Sequence, residues 1–163
     1  MRMSTLWILV GIPGSGKSTW AKKFVKDKNI FIISRDEIRF SLLEPGDNYF
    51  AKEKRVWSEY IKRIQFFLSV GDVIADATHL NEKSREKLLS ALDLTYVHVN
   101  TVYFDIPLET CLKRNELREG LAKVPPETIQ SMRSSLTDPA HDTFYPYNKS
   151  ITIDPTFSSD FYF

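Results

Sequence analysis

The run Gly11-Ile12-Pro13-Gly14-Ser15-Gly16-Lys17-Ser18-Thr19 assembles the parts of a phosphate-binding loop. It matches G-x-x-x-x-G-K-[ST] and follows the apolar run Leu6–Val10. Gly11, Gly14 and Gly16 let the chain bend tightly and bring main-chain N–H groups close to phosphate oxygens. A helix opening near Lys17 adds its positive end and its unsatisfied N–H groups. Lys17 supplies an ammonium for the β and γ phosphates, and Ser18 a hydroxyl for Mg²⁺. Ile12, Pro13, Ser15 and Thr19 complete the cradle. The expected ligands are therefore ATP and Mg²⁺. A fortuitous glycine-rich turn is disfavoured by the strand–turn–helix context.

Three further clusters carry charge where phosphoryl transfer needs it. Arg35-Asp36-Glu37-Ile38-Arg39 follows an apolar strand. Asp36 is placed to hydrogen-bond an attacking hydroxyl and take its proton; read alone, it suits a helix cap as well. Arg39 lies three residues on, on the same helix face, where a guanidinium fork suits a phosphate. Its alternative is a solvated surface arginine. Asp76 ends another apolar strand, placed either to hold a magnesium-bound water or to brace Arg39. Arg114 and Arg118 are four apart, with Lys113 alongside. That spacing puts both on one helix face, where they would form a lid over the transferring phosphoryl group or simply complement the helix dipole.

These groups need a scaffold that brings several strand ends together. The hydrophobic pattern predicts strands over Thr5–Val10, Asn29–Ser34, Asp72–Ala77, Tyr96–Phe104 and Ser150–Asp154. Helices are expected over Thr19–Lys28, from Arg35, over Phe50–Val70, over Glu82–Leu92 with Asn81 as cap, from Pro107 to Leu117, and from Val124 to Ser134. Strands alternate with helices, and several strands are apolar on both faces. The fold class is thus α/β, a four- to five-stranded parallel sheet flanked by helices. Thr137–Tyr147, with two prolines, is expected as loop.

Composition sets outer bounds. The 163 residues suit a single domain, 1–163, with 42% hydrophobic and 26% charged residues. A formal net charge of +1 supplies no global attraction for a polyanion, so nucleic-acid binding needs a local patch. The basic residues of Lys52–Arg63, with Tyr49 and Trp57, are one such candidate; a core stripe with a solvated basic face is the better reading. Cys111, the single cysteine, excludes an internal disulfide and reads as a buried helix residue. His98 and His141 read as surface residues, and no Cys/His cluster suggests zinc. The first apolar run is too short for a signal or a membrane span, so a cytoplasmic location is expected, without a membrane. A homo-oligomer is left open, as is the role of Phe161-Tyr162-Phe163.

Taken together, the loop, the R-D-x-x-R pentad and Lys113-Arg114-Asn115-Glu116-Leu117-Arg118-Glu119-Gly120 resemble the polynucleotide 5′-hydroxyl kinase domain of the T-even bacteriophage type, over roughly Thr5–Met132. The resemblance implies the P-loop kinase fold with a basic helical lid at about 113–125. It also implies ATP-dependent phosphorylation of a 5′-OH end of RNA or DNA. It assigns Asp36 as the base, Arg39 to the acceptor's 3′-phosphate, Arg114 and Arg118 to the lid, and Arg118 to the adenine. Thr78 and His79 fall where that family contacts its acceptor. There the family's acid-Thr-Asn is replaced by Asp76-Ala77-Thr78-His79, which keeps another acceptor open: a nucleoside, a sugar nucleotide or a modified base in phage DNA. No D-x-D-x-T motif occurs, so no phosphatase domain is implied. A GTPase-type switch is disfavoured because Asn148-Lys149-Ser150-Ile151 fails N-K-x-D at its last position.

Overall fold

Strands that are apolar on both faces must be covered on both faces, and a parallel sheet between two helical layers does this. The computed structural model, which describes residues 2–156, has that form. Its strands are β1 (Ser4–Val10), β2 (Ile30–Ser34), β3 (Asp72–Asp76), β4 (Val97–Phe104) and β5 (Lys149–Ile153). They lie in the order β2-β3-β1-β4-β5, every neighbouring pair parallel. The helices are α1 (Lys17–Phe24), α2 (Arg35–Leu42), α3 (Glu53–Leu68), α4 (Glu82–Ser90), α5 (Leu108–Glu116) and α6 (Pro126–Ser135).

The period of two along β1 divides the core. Leu6, Ile8 and Val10 face a layer made by Ile38 of α2, Val56, Tyr60 and Ile64 of α3, and Leu88 of α4. Leu9 faces Trp20 and Phe24 of α1, Cys111 of α5 and Ile129 of α6. The α3 stripe is therefore core, as its spacing implies, and Cys111 is fully buried.

Local chemistry moves several boundaries. Helix α1 begins directly after Gly16, which holds φ 95°, and gives way before Asp27, at φ 62°. Helix α3 begins at Glu53, later than Phe50, because Asn48 ties Phe50 N–H to its own side chain at 3.1 Å in a turn. Asn81 caps α4 as expected, accepting Ser84 N–H at 3.0 Å. The basic lid is not helical over its expected length. Helix α5 ends at Glu116, Leu117 caps it, and a single 3₁₀ turn spans Gly120–Ala122. Gly120, at φ 60°, takes a left-handed conformation that breaks a helix. The aromatic run Phe161–Phe163 lies outside the described residues.

Candidate functional site

In an open parallel sheet the carboxyl ends of neighbouring strands are where loops leave free space for ligands. Here the ends of β1, β2 and β3 open into one cleft of about 580 Å³. Of the residues expected from sequence, Pro13, Gly14, Gly16, Lys17, Ser18, Thr19, Asp36, Arg39, Asp76, Thr78 and Arg118 line it.

One wall is the loop after β1. Gly14 holds φ 83°, and a Cβ there would meet the Cys111 carbonyl at 2.6 Å. Glycine is thus required both by the turn and by the loop's seat on α5. Gly11 behaves otherwise than expected. Its N–H donates to Thr78 O at 3.0 Å, tying the loop to the segment after β3, and so does not face a phosphate. Lys17 Nζ donates to Gly11 O at 2.9 Å and Ile12 O at 3.0 Å. Burial pushes its pKa below the ordinary lysine value, against the pull of Asp76 and Asp36. Ser18 Oγ donates to Asp76 Oδ2 at 2.9 Å. Burial raises the Asp76 carboxyl, opposed by Lys17 and by the Ser18 hydrogen bond. Ser18 and Asp76 thus present neighbouring oxygens of the kind a hard divalent cation takes. Asp76 meets Ser18 and not Arg39, so the bracing alternative falls away.

The opposite wall is made of side chains. Ser34 caps α2, its Oγ accepting Glu37 N–H at 3.2 Å. Asp36 is therefore not the cap; its side chain is 57% exposed and stands at the cleft. Its Oδ1 accepts from Tyr49 OH at 2.7 Å and from Arg39 Nη1. Arg39 is buried, its side chain 6% exposed, and all three of its nitrogens are engaged. Nη1 donates also to Tyr49 OH at 2.9 Å, Nη2 to Glu53 Oε1 and Oε2 at 2.8 and 2.9 Å, and Nε to Glu53 Oε2. Against expectation Arg39 is neither solvated nor a free fork for a phosphate. In this arrangement it holds Asp36 in place. Glu53 also receives Arg35, which lies over the Trp57 ring. Sequence reasoning missed Glu53, whose only signal is an acid in the first turn of a helix. Among α3 residues Glu53 alone lines the cleft, so the basic residues of that helix are not part of it.

The expected lid pair is divided. Arg114, on α5, donates from Nη1 to Gly14 O at 3.1 Å, supporting the loop from outside the cleft lining. Arg118 lines the cleft from the loop beyond the helix, so the two do not share a helix face. Asn115, 1% exposed, pins the base of that loop through Val124 N–H at 2.9 Å and Val124 O at 2.6 Å.

His79 departs furthest from expectation. It is buried behind the cleft, with Nδ1 at 2.5 Å from Leu9 O and Nε2 at 3.0 Å from Tyr60 OH. Burial lowers its pKa to about 3, so it is a neutral core residue that cannot touch an acceptor. Arg85 was also not legible beforehand. Fully buried on α4, it pairs with Asp142 at 2.6 and 2.8 Å and donates to His79 O at 2.8 Å, anchoring the Thr137–Tyr147 loop. His98 and His141 are exposed. Among the described residues no His, Cys, Asp and Glu group forms a metal cluster, and no helix is long and apolar enough to cross a membrane.

A family model described as an AAA domain matches residues 6–139. A protein of Autographa californica nuclear polyhedrosis virus that bears the name bifunctional polynucleotide kinase/RNA ligase is 33% identical over 77% of this chain and 20% of its own length. An L-seryl-tRNA(Sec) kinase of Methanococcus maripaludis is 32% identical over 96% of this chain and 61% of its own. The chain thus spans a fifth to three-fifths of these curated relatives. A chain of the Pnkp1/Rnl/Hen1 RNA repair complex superposes with a TM-score of 0.68 and 25% identity, over 83% of this chain and 45% of that one. The five-stranded parallel sheet and these neighbours make the fold that of the P-loop kinases.

Proposed function

As the chain belongs to the AAA domain family, we propose that it is an ATP-dependent kinase that phosphorylates the 5′-hydroxyl end of RNA or DNA. One observation carries this reading: the Asp36 carboxylate and the Lys17 loop open into the same cleft.

The loop N–H groups and Lys17 hold the triphosphate, and Arg118 closes over it from the far side. Ser18 and Asp76 would hold a magnesium ion, which when bound neutralises phosphate charge. Asp36 takes the proton of the acceptor hydroxyl as its oxygen bonds to the γ-phosphorus and the bond to the ADP oxygen breaks. The Tyr49 and Arg39 contacts both fall on Asp36 Oδ1. They fix the carboxylate and leave Oδ2 for the hydroxyl. Because these groups are already placed, the barrier falls mainly through orientation and charge.

A second reading keeps the chemistry and changes the acceptor, as the seryl-tRNA kinase relative suggests. The test is transfer from labelled ATP to 5′-OH oligonucleotides, nucleoside 3′-monophosphates, free nucleosides and sugars. Label on the oligonucleotide 5′ end is the expected result. Label only on a small molecule would replace the polynucleotide acceptor.

A further inference from the structure

We propose that Phe50 is the platform on which the acceptor's terminal base stacks, so that the enzyme selects a nucleotide over a bare sugar as the owner of the hydroxyl. The inference rests on the reading above and narrows its acceptor.

Phe50 lines the same cleft as Asp36 and is 60% exposed, so its ring is open to a ligand in that cleft. Its main chain is held in place. Asn48 accepts Phe50 N–H at 3.1 Å and its carbonyl accepts Ala51 N–H at 3.1 Å, so the turn is fixed before any ligand arrives. The Phe50 ring stands edge-on to Tyr49, centroids 4.7 Å apart at 83°. Tyr49 is itself occupied: its hydroxyl bonds Asp36, and the Arg39 guanidinium covers its ring at 4.3 Å. The same guanidinium lies farther from the Phe50 ring, at 5.9 Å, and Phe50 remains the more exposed of the pair.

Its position relative to Asp36 sets the ligand class. Phe50 adjoins Tyr49, and Tyr49 OH touches the carboxylate. A base and its own 5′-hydroxyl are separated by one ribose, so a base lying on Phe50 leaves its hydroxyl on the Asp36 side. A sugar can lay only a small face of C–H groups on such a ring, without the flat π-face of a base. Arg39, saturated by Glu53, Asp36 and Tyr49, offers a phosphate little competing grip. Stacking is also tolerant of base identity, since every base has a π-face.

The experiment compares two 5′-OH oligonucleotides that differ only at the first residue, one normal and one abasic, with wild type, Phe50→Ala and Phe50→Trp. Wild type should prefer the normal end by roughly 5- to 100-fold in kcat/KM, mostly through KM. Phe50→Ala should level the two, and Phe50→Trp should restore the difference, with KM for ATP unchanged in all three. A 2-aminopurine at the first position should lose fluorescence on binding wild type and keep it with Phe50→Ala. The proposal is overturned if Phe50→Ala keeps the preference, loses both acceptors equally, or changes KM for ATP instead. Oligonucleotide transfer persisting alongside any of these results leaves the kinase reading standing. Wild-type transfer to sugars and to no oligonucleotide removes the stacking platform and the polynucleotide acceptor together, while phosphoryl transfer itself stands.

Discussion

Gly14, Gly16 and Lys17 form one wall of the cleft, and Asp36, Arg39, Tyr49 and Glu53 the other. The first wall comes from a single stretch of chain shaped by left-handed glycines, and presents main-chain groups together with the Lys17 and Ser18 side chains. The second is gathered from α2, the turn before α3 and the first turn of α3, and works through side chains alone. The first is held largely through its own main chain, by Gly11 N–H on Thr78 O, by Arg114 on Gly14 O and by its seat on α5. The second is rigid only while its ion pairs and hydrogen bonds hold, so a single side chain should disturb it.

The sharpest separation of the walls is Asp36→Ala. It should lower kcat by about 10²–10⁴-fold, the range for a positioned general base, and leave ATP binding nearly unchanged in equilibrium titration. Near-full turnover would remove Asp36 from the chemistry. Gly14→Ala attacks the other wall. The left-handed φ and the 2.6 Å approach to Cys111 O should cost about 1–3 kcal/mol of stability, read by urea unfolding, with loss of ATP affinity. Normal ATP binding by a folded variant would mean that the main-chain cradle is not what holds phosphate.

Glu53→Ala tests whether the second wall stands on its ion pairs. It strands the buried Arg39, and because Glu53 is itself about one-third exposed, the expected loss is about 1–2 kcal/mol, together with a fall in kcat. An unchanged kcat would mean that Arg39 does not place Asp36. His79 joins the walls from behind, through Leu9 O on β1 and Tyr60 on α3. Its pKa is lowered to about 3 by burial, so between that value and about 6.5 the unfolded chain binds more protons than the folded one. Its contribution is full above pH 6.5. Stability should fall as pH drops below that, by at most about 1.4 kcal/mol per pH unit, and His79→Gln should flatten that slope in urea titrations. Equal slopes would place the proton elsewhere. The smallest effect belongs to Tyr49→Phe, which removes one hydroxyl between Asp36 and Arg39; about 1 kcal/mol, or several-fold in kcat, is expected with KM for ATP unchanged.

This contrast also explains what could be read beforehand. The loop was legible because its constraints are local: left-handed turns demand glycine, and Lys17 and Ser18 follow at fixed steps. The parallel sheet was legible because strands apolar on both faces admit few other arrangements. Helix α5 ends within a residue of the expected Leu117, but Arg118 falls just past that end, because helical spacing in Lys113–Arg118 does not say where the helix stops or that Gly120 turns the chain beyond it. His79 was misplaced because its neighbours, Leu9 and Tyr60, are distant in sequence.

By itself the sequence determined a phosphate loop after a first buried strand, a carboxylate after a second and an acid after a third, since each is a matter of adjacent residues. Only the tertiary structure decided the company those groups keep. Strand order brings three chain-distant ends to one edge, and Glu53 can reach Arg39 only once α2 and α3 pack on the same face of the sheet. An ion pair between helices leaves no periodic trace along the chain, because its partners are chosen by packing and not by spacing.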